Sequence, residues 1–207
     1  MNCIIMACGS LTDYVRAAQR KLGTNYPEIY LDKALHADPA AMRLSILEKL
    51  ASLPAEYDTL LIAMGFCGGS WKDVRTDRKI VRPRVDDCVS LLLHTETSAG
   101  YNLKKEGRLY MKDVKPDDFD IERVFEKYTK EMESAAKEKI KSSWKASYSA
   151  ICVVDTGINS PDTSEYRKCA EKNASWIDGK VERLKGSNLL IEKLISGDWD
   201  ERLFFIE

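Results

Sequence analysis

Thr59-Leu60-Leu61-Ile62-Ala63-Met64-Gly65-Phe66-Cys67-Gly68-Gly69-Ser70 is the stretch that decides how this chain is read. Residues 60–64 are apolar without polar alternation, the pattern of a strand covered on both faces in a parallel sheet flanked by helices. The glycines that follow let the backbone turn sharply and come close to a ligand, with the Cys67 thiol among them. Ligands of open α/β sheets bind beyond the carboxyl ends of the strands. Cys67 is expected there.

Before this stretch, residues 2–7 read as a short apolar strand ending at Cys8-Gly9-Ser10. A helix follows, with Ser10 as N-cap and Asp13 three residues on. Its Leu11, Tyr14, Val15, Ala18 and Leu22 share one face, and Gly23 ends it. Ile29-Tyr30-Leu31 reads as a second strand, and the loop 32–38 carries His36. Asp38-Pro39 starts a helix with a buried stripe of Met42, Ile46 and Leu50.

After it, Ile80-Val81 is a fourth strand that Pro83 either ends or confines to an edge. Asp86-Asp87-Cys88 opens a helix, and Leu109-Tyr110-Met111 is a short strand. Residues 119–140 predict one long charged helix packing across both halves. Strands at 150–154, 181–184 and 203–206 then alternate with helices at 164–177 and 187–195. The fold class is α/β, with Rossmann-like parallel sheet layers flanked by helices. Two βα-repeating halves are joined by the long helix. The boundaries are 1–115 for the N-terminal half carrying the Cys/His site, 116–147 for the connecting helix and 148–207 for the C-terminal half, packed as one unit.

Composition narrows the function classes. The 207 residues, 44% hydrophobic and 31% charged, suit one globular unit or two small ones sharing an interface. A formal net charge of -1 with interspersed signs gives no field for nucleic acid or an anionic membrane. No apolar run is long enough to span a bilayer. Met1-Asn2-Cys3-Ile4-Ile5 has no basic n-region and reads as a strand, so a cytoplasmic location is expected. Six cysteines in that setting argue against a disulfide framework. Cys3, Cys152 and Cys169 lie in apolar or helical patterns and read as core.

Cys8, His36, Cys67 and Cys88 each follow one of the first four strands. If those strands are parallel neighbours, the four side chains converge on one rim, a soft site for zinc or, alternatively, iron. Cys8 precedes one helix and Cys88 opens another, where the positive dipole end favours thiolate. Gly9, Gly65, Gly68, Gly69 and Asp87 surround them as the backbone that a bound cofactor would approach. There is no C-x-x-C pair to fix the reading. The competing one makes Cys8 and Cys67 small residues in tight turns and His36 a loop histidine.

Other motifs carry less. Asp155-Thr156-Gly157 is a turn with a strand-end carboxylate, and Trp199 in Gly197-Asp198-Trp199-Asp200 is a packed aromatic. His94 reads as a surface residue, with a spare ligand as the alternative. Lys72, Arg75, Arg78, Lys79, Arg82 and Arg84 read as a solvated face that could also hold an anion beside the crevice.

With these residues in place, the chain resembles domain-of-unknown-function family 1638. The matching pieces are Ala7-Cys8-Gly9, Leu35-His36, Gly65-Phe66-Cys67-Gly68, Pro83-Arg84-Val85-Asp86-Asp87-Cys88, Val154-Asp155-Thr156-Gly157 and the segment 190–199. Together they cover almost the full length, and the family pattern falls on the same Cys8, His36, Cys67 and Cys88. The resemblance implies a setting of corrinoid-dependent methyl transfer. The chain would then be a one-carbon enzyme or an accessory factor, with a corrinoid protein or its methyltransferase as partner. It also implies contact with the corrinoid itself. A small-molecule substrate fits too; nucleic acid and membrane do not. Two departures mark the middle of the chain: His94-Thr95 stands in place of a Gly-Ser pair, and Lys112-Asp113-Val114-Lys115 in place of a Thr-x-Gly-Trp segment. Two alternatives stay open. One is metal-free chemistry with Cys67 or Cys88 as nucleophile and His36 as base; the other is a non-enzymatic partner or chaperone of a corrinoid protein.

Overall fold

The computed structural model describes residues 1–113 and 119–207. The departure at Val114-Lys115 and the expected boundary at 115 lie outside the described residues. The described chain forms two compact units: Met1–Leu103 with Ser187–Glu207, and Lys104–Gly186. The last helix and strand thus belong with the first sheet, not with a C-terminal half beginning at 148. Sequence order alone could not place them.

In the first unit, strands β1 (Cys3–Cys8), β2 (Glu28–Leu31), β3 (Thr59–Ala63), β4 (Lys79–Pro83) and β8 (Phe204–Ile206) form one sheet ordered β2-β1-β3-β4-β8. The first four are parallel; β8 runs antiparallel to β4, with Arg82 opposite Phe205 and Pro83 opposite Phe204. Every residue of β1 and β3 is buried, as the unbroken apolar runs require. Helix α1 (Thr12–Leu22) packs on β1 and on α7 (Leu189–Ser196), which in turn covers β3 and β4. Helix α2 (Pro39–Ala51) lies against β2. The chain steps outward from β1 to β2, then crosses back to β3 on the other side. The order therefore reverses between β1 and β3, where the carboxyl ends of an open sheet leave a crevice.

The caps follow the sequence closely. Asp38 Oδ1 accepts hydrogen bonds from the amides of Ala40 and Ala41 with Pro39 at the first helical position, and Gly23 ends α1 at φ 65°. Ser10 is not the N-cap of α1. It lies in a 3₁₀ turn, Gly9–Leu11, that precedes the helix and is capped by Cys8 itself. Leu22 is partly exposed rather than on the buried face.

The second unit holds a parallel sheet ordered β5-β6-β7, with β5 at Arg108–Lys112, β6 at Ala150–Asp155 and β7 at Lys180–Lys185. Its core joins Met111, Ile151 and Val153 to Tyr166, Ala170 and Ala174 of α6 (Ser164–Trp176). The expected single helix is two, α4 (Ile121–Thr129) and α5 (Ser134–Ser147). The Thr129 hydroxyl donates to the Phe125 carbonyl, a local bond that competes with helix continuation. The two pieces fold onto α6: the Phe125 ring centre is 5.6 Å from that of Trp144 and 5.2 Å from that of Trp176. They are part of this unit's core. Asp155-Thr156-Gly157 is a turn, as read: Gly157 has φ 76° and Asp155 pairs with Arg183.

Candidate metal centre

Each chemically active side chain is placed by the end of a parallel strand. Cys8 is the last residue of β1; His36 sits in the 3₁₀ turn Lys33–Ala37 after β2; Cys67 opens the turn after β3; Cys88 opens α3 (Cys88–Leu93) after β4. The turn after β3 is fixed by a second strip of backbone. Phe66 N–H donates to Val85 O at 2.9 Å and Cys67 N–H to Asp86 O at 2.6 Å. Gly65 is obligatory here: a Cβ would stand 2.4 Å from Asp87 Cα and 2.6 Å from its N and C. That contact ties the cysteine loop to the start of α3.

The ligand atoms of Cys8, His36 and Cys88 lie within 4.8 Å of one another. Cys8 Sγ is 2.9 Å from His36 Nε2, and Cys67 Sγ is 3.9 Å from Cys88 Sγ. Two sulfurs on one tetrahedral zinc stand about 3.8 Å apart, and a sulfur and a nitrogen about 3.6 Å. The Cys67–Cys88 spacing matches. The Cys8–His36 pair, at the distance of a direct hydrogen bond, is tighter than a shared ion allows, so binding an ion would require the two to separate by about 0.7 Å. The three thiols are buried, at 0%, 8% and 4% exposure for Cys8, Cys67 and Cys88, and all six cysteines of the chain are free.

The electrostatics suit a cation. Hydrogen bonds from Cys88 first, and then His36, pull Cys8 down to about 4 against the opposing effect of burial. The same two neighbours pull Cys67 down to about 6. Hydrogen bonds to Cys67 and then Cys8 push His36 up to about 10. Cys88 is the protonated member, pushed well up by Cys67, Cys8 and burial. Its place at a helix start does not make it a thiolate, because α3 is only 6 residues long and two thiolates crowd it. Without metal the centre is two thiolates, an imidazolium and a thiol.

Cys67 adopts φ 46°, a left-handed backbone that costs a residue with a Cβ about 1–2 kcal/mol. Gly68 and Gly69 beside it, at φ 66° and 87°, carry no such penalty. A cysteine held where glycine is favoured is a local strain that collects at functional sites.

The residues read as a cofactor wall have structural work in the chain. A Cβ on Gly9 would stand 2.9 Å from Leu31 O, and one on Gly68 2.8 Å from Pro39 Cγ. Asp87 caps α3 by accepting from Ser90 N–H. Sequence reasoning missed Ser10 as a partner of the site: its hydroxyl is 3.1 Å from Cys8 Sγ and its amide 3.4 Å. The adjacency Cys8-Gly9-Ser10 was the available signal. His94 is neither surface nor ligand; it is 4% exposed, its Nε2 accepts from Gly100 N–H, and burial holds its pKa down. Trp199 packs as read, donating its indole N–H to Leu194 O. The basic segment is not a plain solvated face. Arg78 donates to the carbonyls of Tyr57, Leu50, Leu53 and Pro54, and Arg82 is buried. Among the described residues, no helix is long and apolar enough to cross a membrane.

A family model described as "Protein of unknown function (DUF1638)" matches residues 30–195, which takes in His36, Cys67 and Cys88 and leaves Cys8, with the whole of β1, outside it. No curated protein and no solved structure matches the chain. The family match spans most of the sequence, from β2 into α7, and includes Leu35-His36, the Gly65–Gly68 loop, the Pro83–Cys88 segment and Val154–Gly157, while Ala7-Cys8-Gly9 lies outside it. The chain belongs to domain-of-unknown-function family 1638.

Proposed function

We propose that the protein binds one zinc ion through Cys8, His36 and Cys88, with Cys67 as an exchangeable fourth ligand. The observation that carries this reading is the convergence of three ligand atoms within 4.8 Å from three strand ends. Two thiolates and an imidazole are a soft donor set that suits zinc, with iron as the alternative. Cys67 is the natural member to leave, since it lies outside the tight trio and holds a strained backbone. Catalytic zinc keeps one position for substrate and there favours the deprotonated form of a thiol or water. Activation of a substrate thiol as methyl acceptor is the role this would fill in the one-carbon, corrinoid-linked chemistry that the family resemblance implies.

The test is metal analysis of anaerobically purified protein beside cobalt(II) replacement. Stoichiometric zinc, and a cobalt form with intense thiolate charge-transfer bands and tetrahedral visible bands, are expected. Protein free of metal that also rejects added zinc and cobalt sinks the proposal. In that case the thiolate–imidazolium arrangement favours the second reading, metal-free thiol chemistry at Cys67. Rapid alkylation of that one residue is its signature.

A further inference from the structure

Arg82 is a buried cation with no counter-ion in contact. It is 6% exposed, its Nη1 is buried without a hydrogen-bond partner, and it makes no ion pair among the described residues. Burying an unpaired charge is costly, and the usual remedy is a carboxylate. Here the guanidinium lies between two rings instead, its central carbon 5.2 Å from the centre of Phe66 and 4.8 Å from that of Phe205. Aromatic faces offset part of the cost. They leave Nη1 of the guanidinium without an acceptor.

A second arginine shares the Phe205 ring. The Arg84 guanidinium carbon is 3.7 Å from its centre, and Arg84 Nε donates to the carbonyls of Glu201 and Phe204, again with no carboxylate. Arg84 and Phe205 line a cleft of about 590 Å³ together with His94, Tyr101, Asp200 and Arg202. Asp200 is committed to Arg202 through both carboxylate oxygens, and His94 is held neutral by burial and by the Gly100 amide it accepts. The charge of Glu207 reaches Arg82 without contact, and those of Asp86 and Asp87 act on Tyr101. Of the charged residues that line the cleft itself, Arg84 and Arg202 stand against Asp200, and Arg84 is the one without a carboxylate partner among the described residues; Arg82 lies outside that lining, next to Phe205.

The cleft also adjoins the metal centre. Asp86 N–H donates to Tyr101 O at 2.7 Å, and Asp86 O accepts from Cys67 N–H, so one residue separates the cleft wall from the strained cysteine. Arg82 packs on Phe66, the neighbour of Cys67, and feels the Cys67 charge.

We propose that Arg84, with the unpaired charge of the buried Arg82 beside the shared Phe205 ring, forms an oxyanion-binding subsite in the cleft, which takes the carboxylate or phosphate of a small substrate whose other end reaches the Cys67 edge of the centre. A guanidinium fork matches both anions in geometry. The second clause rests on the metal reading above; the anion site does not, because neither arginine touches a ligand.

The experiment is thermal unfolding of the full chain, stripped of metal, titrated with inorganic phosphate or with acetate against chloride at matched ionic strength. A saturable rise in Tm with at least one probe is expected. Arg84→Gln and Arg82→Gln should each weaken that response about tenfold or more, while Arg75→Gln, at an exposed site away from the cleft, leaves it unchanged. Stronger binding of phosphate assigns a phosphorylated substrate, and stronger binding of acetate a carboxylic one. No saturable response to either probe overturns the proposal, as does a response that Arg84→Gln leaves intact. Should Arg82→Gln fail to fold, Arg84→Gln decides alone. Anion binding by a protein that takes no metal leaves this site standing and removes the metal reading; metal without anion binding does the reverse.

Discussion

Cys8 Sγ and His36 Nε2 lie 2.9 Å apart although 28 residues separate them in sequence. The two residues come from the ends of neighbouring strands: Cys8 pairs with Leu31 in the β1–β2 register, and the turn after Leu31 returns His36 to the strand end. The pair sits at the carboxyl ends of β1 and β2, beside the β1–β3 step where the strand order reverses and an open parallel sheet leaves room for chemistry.

Loss of a ligand from the tight trio should be graded differently from loss of Cys67. Cys8→Ser, Cys88→Ser and His36→Gln are each expected to weaken zinc by roughly 100-fold or more, and Cys67→Ser by nearer tenfold. Competition with a chromogenic chelator measures this. Equal losses at all four positions would show a closed Cys3His site in place of an open one.

The thiolate–imidazolium arrangement makes the stability of the metal-free protein depend on pH. Cys8 and Cys67 are lowered in the fold, to about 4 and about 6 from 9.0, so each adds stability as pH rises from its folded value towards 9.0. His36 is raised from 6.5 to about 10, so its contribution is complete below 6.5 and fades as pH climbs towards 10. Cys88 is also raised and loses its contribution above 9.0. Between 6.5 and 9.0 two rising terms outweigh one falling one, so the cluster stabilises most near pH 9. Urea midpoints against pH, taken as the difference between the native sequence and a Cys8→Ser/Cys67→Ser/His36→Gln variant, should rise from about pH 4 to about 9 and then drop. A flat difference would mean that the cluster carries no such charge.

Cys67 should show its strain directly. In metal-free protein, Cys67→Gly is expected to be more stable than Cys67→Ala by about 1 kcal/mol, because only glycine relaxes at φ 46°. Denaturant unfolding of the two variants is the check. Alanine as stable as glycine would place the strain elsewhere.

Gly65→Ala inserts a methyl into the backbone of Asp87, and neither strip can yield without moving the cysteine loop or the start of α3. A loss of about 1–3 kcal/mol is expected. Zinc affinity should fall as well, although no ligand is altered. A variant that lost stability but kept native affinity would show that the two thiols adjust independently.

The strands, their order of appearance and the residues at their ends were legible because a parallel strand buried on both faces is an unbroken apolar run. The turns after such runs are marked by glycine, proline or a capping aspartate. Less was legible where distant contacts decide. Phe204–Ile206 is too short to announce that it returns antiparallel to β4. The break after Thr129 falls among Lys130, Glu131, Met132 and Glu133, all compatible with helix, and depends on packing against α6. The arginines after Cys67 have the composition of a solvated face; only the fold shows Arg78 fastened to four carbonyls and Arg82 between two rings. For the candidate site, the four strand-end residues could be named in advance, but not which thiol keeps its proton, since that depends on a few tenths of an ångström.

The second unit is spliced into the first between Leu103 and Ser187. During translation all four candidate ligands have therefore been synthesised by residue 88 and emerge while the inserted unit is being made, whereas α7, which covers β3 and β4, arrives only after it. For that interval the nascent sheet presents its thiols with one layer missing. Metal capture or oxidation of the cysteines is thus open to competition on the ribosome, before the finished fold can favour either.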